Sequence, residues 1–152
     1  MSRILEFLRA VIISPEMLAG CLPFVVSSYW PEPANFAAQQ LASDTKWAFS
    51  IAAIPLGLLA ATYASGSDIL SPTGGKKALL AWPDYWKLKM RIVVAFGYCL
   101  LGCALTICGV YFVAHQSPVW GGTLAIAGVL CAAAALASVA LARLTIREII
   151  PE

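Results

Sequence analysis

Four apolar segments, each bounded by polar or charged residues, set the plan of this chain. Residues 15–30, 47–64, 92–114 and 120–144 are predominantly apolar, rich in Leu, Ile, Val, Ala, Gly, Phe and Cys, with Pro, Ser and aromatic residues interspersed in the first two. Such runs approach or exceed the roughly 20 residues that cross a hydrocarbon core about 30 Å thick. Within lipid every backbone polar group must be satisfied internally, so these segments predict helices. The sequence therefore predicts an all-α membrane protein, a single four-helix transmembrane domain over residues 1–152. Its N- and C-termini are expected in the cytoplasm.

The boundaries carry their own signals. Arg3, Glu6 and Arg9 recur every third residue among Ile4, Leu5, Phe7, Leu8, Val11 and Ile12, which predicts a short amphipathic helix at the interface over residues 2–13. Ser14-Pro15-Glu16 then reads as a fresh helix start: a hydroxyl N-cap, proline at the first helical position and an acid compensating the helix dipole near the cytoplasmic face. Residues 31–46 turn polar and predict a short loop with one helical turn near 36–41. Pro55, at the centre of the second span, lacks the N–H that the Ile51 carbonyl would accept from, and predicts a kink, read as static in preference to a hinge.

Residues 65–91 form the expected cytoplasmic loop, with Ser-Pro and Gly-Gly breakers in its first half. Pro83 can begin a new helix with Asp84 in its first turn, and no breaker follows before Ala114. A helix over 83–114 would be nearly 50 Å long at about 1.5 Å per residue, so the third span is expected to extend into the cytoplasm. Only His115, Gln116, Ser117, Pro118 and Val119 separate it from the fourth span, and a connection this short makes the two antiparallel neighbours.

Composition agrees with lipid as the solvent. The chain is 61% hydrophobic and 12% charged, about half the charge fraction of an ordinary soluble domain. A net charge of +2 gives no argument for nucleic acid, which selects strongly basic surfaces. The placement of charge is more informative than its sum. With a cytoplasmic N-terminus and four crossings, Arg3, Arg9, Lys76, Lys77, Lys87, Lys89, Arg91, Arg143 and Arg147 lie inside and only Lys46 outside, as the positive-inside rule requires. Trp30, Trp47 and Trp120 then form an outer aromatic belt. This pattern points to the bacterial inner (cytoplasmic) membrane.

Two groups of residues are candidates for function. Lys76, Lys77, Trp82, Tyr85, Trp86, Lys87, Lys89 and Arg91 combine aromatic rings with basic charge at the base of the third span, a composition suited to anionic headgroups or to a docked partner. Ala95, Cys99, Gly102, Cys103, Thr106 and Gly109 place small side chains on one face of that span, for helix packing or pore lining. Gly121, Ala125, Gly128, Ala132 and Ala135 repeat the pattern in the fourth span, and Ala53, Gly57 and Ala61 in the second. The surplus of such rows predicts a homo-oligomer.

Other chemistry is missing. Gly74-Gly75-Lys76 lacks the phosphate-loop pattern, which needs a glycine at Leu70 and a hydroxyl at Lys77. Leu18-Ala19-Gly20-Cys21 resembles a lipobox, but Arg9, Pro15 and Glu16 interrupt the apolar run that a signal peptide needs, so lipidation is not expected. Cys21, Cys99, Cys103, Cys108 and Cys131 lie in apolar runs without ligand spacing and read as small packing groups. His115 is the only histidine and ends a span. Spans two to four hold no Asp, Glu, Lys or His, which disfavours an ion-coupled transporter, and no catalytic constellation can be assembled. No enzyme activity, metal or cofactor is expected.

The function that fits is a small oligomeric integral membrane protein acting as anchor, sensor or scaffold, engaging a cytosolic protein through its basic aromatic loop, with the lipid bilayer as its other partner. The alternative is a partner- or ligand-gated pore, such as the membrane effector of a bacterial stress or antiphage defence system.

Overall fold

The structure, a computed structural model, describes residues 11–43, 45–70, 83, 85–115 and 117–149. These form five helices: α1 (Pro15–Tyr29), α2 (Glu32–Ser43), α3 (Thr45–Leu70), α4 (Tyr85–His115) and α5 (Pro118–Ile149). No strand occurs among the described residues. Three stretches are long and apolar enough to cross a membrane: Ala48–Ser67 in α3, the whole of α4, and Pro118–Leu144 in α5. The amphipathic segment expected over 2–13 lies outside the described residues up to residue 10.

α1 begins where its cap residues place it. The Met17 N–H donates to Ser14 Oγ at 3.1 Å, Ser14 has extended backbone angles, and Pro15 opens the helix. At 15 residues it is only about 22 Å long, short of the roughly 30 Å hydrocarbon core. It nevertheless packs along α5, antiparallel to it: Gly20 faces Cys131, and Leu22, Val26 and Trp30 share a groove with Thr123, Ile126 and Leu130.

Three elements depart from expectation. Residues 31–46 hold not one turn but α2, a helix of 12 residues. Its buried Ala34, Ala38 and Leu41 recur at spacings of four and three, one helical stripe, and the stripe lies on Gly122, whose missing side chain lets the Ala34 carbonyl come close. Likewise α3 does not stop at 64 but continues to Leu70. The Ser-Pro and Gly-Gly breakers lie outside the described residues, and the residues before them make contact. Gly66 admits Ile92 and Phe96, Ile69 is buried in the core, and the Tyr85 hydroxyl donates to the Ile69 carbonyl at 3.0 Å, capping the helix end. α4 starts at Tyr85 rather than Pro83.

The core runs along the seam between α4 and α5. Gly102 and Gly109 on one helix oppose Gly128 and Gly121 on the other. A Cβ on Gly102 would lie 2.6 Å from the Gly128 carbonyl oxygen, and one on Gly109 would lie 2.7 Å from that of Gly121. Both glycine pairs are seven residues apart, so the close approach repeats every second turn of an antiparallel pair. α3 joins at one end, where Ile69, Ile92, Ala95, Cys99, Ala132, Ala135 and Val139 form a buried cluster.

Candidate functional site

The basic aromatic group divides in the structure. Lys76, Lys77 and Trp82 lie outside the described residues. Tyr85 is half-buried, its hydroxyl engaged by the Ile69 carbonyl and, at 3.4 Å, that of Leu70. Trp86 is 48% exposed. Lys87 and Arg91 are exposed and Lys89 is half-buried. All sit on the first two turns of α4, which at 31 residues is about 46 Å long and outruns a hydrocarbon core of about 30 Å.

The small-residue group is brought together completely. Ala95, Cys99, Gly102, Cys103, Thr106 and Gly109 are all buried, largely by the facing row Gly121, Ala125, Gly128, Ala132 and Ala135. Thr106 donates its hydroxyl to the Gly102 carbonyl at 2.9 Å, which removes a polar group from the seam. Thr62 of α3 lies near Cys99. The row on α3 is arranged differently. Ala53 and Gly57 are exposed, Ala61 is half-buried, and no atom lies within 4 Å of a Cβ placed on Gly57.

Three features escaped the sequence reading. Glu16 is only 2% exposed and lies within electrostatic range of Cys131. Gly20 meets Cys131, so Glu16, one turn earlier, is about level with Ala135, which shares a cluster with Ala95. The acid is therefore covered by the neighbouring helices and not on an exposed face. Second, the Tyr98 hydroxyl donates to the Val11 carbonyl at 2.7 Å, while the Cys131 thiol donates to the Tyr98 carbonyl at 3.4 Å. A phenol in an apolar run seeks an acceptor, and that was the available signal. Third, Leu22, Pro23, Val26, Trp30, Ala34 and Leu130 line much of an apolar groove of about 210 Å³ between α1, α2 and α5. Its two hydroxyls, Ser27 and Thr123, donate to carbonyls of their own helices.

At the end of α4 remote from Tyr85, His115 stacks on Tyr111 with ring centroids 4.5 Å apart, and its Nδ1 lies 3.1 Å from the Tyr111 carbonyl. Trp30 donates its indole N–H to Glu32 at 3.0 Å. No group of three His, Cys, Asp or Glu side chains able to hold a metal occurs among the described residues.

These features define a class: an all-helical protein with three helices long and apolar enough to span a membrane. Compared with known proteins, the chain matches no family model, no curated protein and no solved structure.

Proposed function

We propose that this chain is a small oligomeric membrane anchor, sensor or scaffold whose α4 base and adjoining loop engage a cytosolic protein. The observation that carries the reading is the unbroken α4. It holds Trp86, Lys87, Lys89 and Arg91 on one continuous helix with the glycine seam. A contact made beyond the bilayer is thereby joined to packing within it. No specific observation favours the pore reading: the small face that would have lined it is filled by α5.

The finer topology is part of the proposal. α1 is the fourth inserted helix, both termini are cytoplasmic, and the membrane is the bacterial inner one. Its antiparallel course along α5 supports this. With only three crossings, Arg3 and Arg9 would join Lys46 outside; a fourth crossing brings them inside and leaves Lys46 alone.

A photo-crosslinking residue in place of Trp86 tests the partner. A discrete protein adduct in intact cells is expected, and adducts to lipid alone would remove the reading. Trp86→Ala should abolish the adduct from a crosslinker at position 87 without changing membrane insertion.

A further inference from the structure

α3 is packed unequally on the two sides of Pro55. After the proline, Thr62 is fully buried and Ile69 is 4% exposed. Leu58, Leu59 and Leu70 pack against the core cluster, Tyr63 meets Phe96 edge to face at 6.0 Å, and Tyr85 caps the end. Leu56 and Tyr63 on this side still turn an exposed face outward, at 54% and 64%. Before the proline no described side chain of α3 is buried: Phe49 is 74% and Ile54 46% exposed, Ser50 and Ala53 are exposed, and Ala48, Ile51 and Ala52 are half-buried. Pro55 itself is among the most deeply buried side chains.

The backbone is weakest at the same place. Pro55 cannot donate to the Ile51 carbonyl, and its ring crowds that carbonyl. In membrane helices a nearby hydroxyl can repair such a gap. Here the two closest in sequence are engaged elsewhere: Ser50 donates to the Lys46 carbonyl at 2.9 Å and Thr62 to the Leu58 carbonyl at 2.7 Å. A helix missing one rung, anchored on one side of the gap and little packed on the other, bends there at low cost.

We infer that Pro55 is a hinge, with residues 56–70 fixed in the core and residues 45–54 forming an arm that pivots on the buried proline ring. The arm is tied at its far end to α2, itself seated on Gly122, so the motion is a lateral bow of the outer half of α3. Sequence alone favours a fixed kink at Pro55, and burial and hydrogen bonding reverse that preference. The inference is independent of the proposed partner.

Pulsed electron-electron distance measurements in nanodiscs test it. The exposed Cys21 and Cys108 are replaced by alanine, spin labels are introduced at Phe49→Cys or Ala64→Cys with a common partner at Ala133→Cys, and labelled chains are diluted with unlabelled protein. The pair from position 49 should give the broader distribution, and Pro55→Ala, which restores the missing N–H, should narrow it towards that of position 64. Equal widths for the two pairs, or an unchanged width in Pro55→Ala, would overturn the hinge. If Pro55→Ala does not fold, the comparison of the two pairs decides alone.

Discussion

Gly122 has no room for a side chain, because a Cβ there would fall onto the Ala34 carbonyl, and Gly128 is closed by Thr106 and the Gly102 carbonyl. Gly57, on the outer face of α3, meets nothing. Three glycines in apolar helices are therefore expected to behave oppositely. Gly122→Val and Gly128→Val should each destabilise the fold by about 1–3 kcal/mol, the usual cost of overpacking. Gly57→Ala should be neutral or stabilising by up to roughly 1 kcal/mol, the helix-propensity difference. Thermal or denaturant unfolding in one detergent would read all three, and equal losses would refute the assignment of close contact. Sequence spacing could place Gly102, Gly109, Gly121 and Gly128 on stripes. It could not say which glycines face a helix and which face lipid, since both environments are apolar and periodicity carries no sign of the difference.

The helix ends show what a sequence transmits. The start of α1 was legible because Ser14, Pro15 and Glu16 act locally, through one side-chain hydrogen bond, one fixed φ and one dipole contact. Ser14→Ala should cost about 1 kcal/mol, measured by the same unfolding assay. α2 and the last turns of α3 were not legible. Their helicity rests on Gly122, Ile92 and Tyr85, which are remote in sequence, and the local signals, the polar residues of 31–46 and the Ser-Pro and Gly-Gly pairs beyond Leu70, point towards loops. Tyr85→Phe removes the phenol that caps α3 while keeping the ring. Amide exchange should accelerate over residues 66–70 and stay unchanged in the α4–α5 seam. Protection that survives at 66–70 would show that Ile69 burial alone holds the turn.

For the whole molecule, the apolar runs were sufficient to give helical class and the α4–α5 hairpin, because lipid imposes that reading directly on composition. The candidate site was legible only as a region. Tyr85 was grouped with Trp86 by chemistry, whereas the fold gives its hydroxyl to α3, a long-range contact with no mark in local pattern. Self-association leaves no mark in local pattern, since an exposed row such as that at Ala53 and Gly57 has the same composition against lipid as against another copy. Native mass spectrometry from mild detergent should show a complex larger than one chain, and a monomer throughout would remove the oligomer. If α1 is inserted, as proposed above, it also carries a consequence for the surrounding lipid. A helix of 15 residues, about 22 Å long, cannot match a full hydrocarbon layer. The leaflet beside α1 should be drawn thin, at a cost of a fraction of a kcal/mol per ångström of mismatch. The protein should therefore melt at a higher temperature in bilayers of shorter acyl chains, and it should partition away from the thicker, more ordered regions of a mixed membrane.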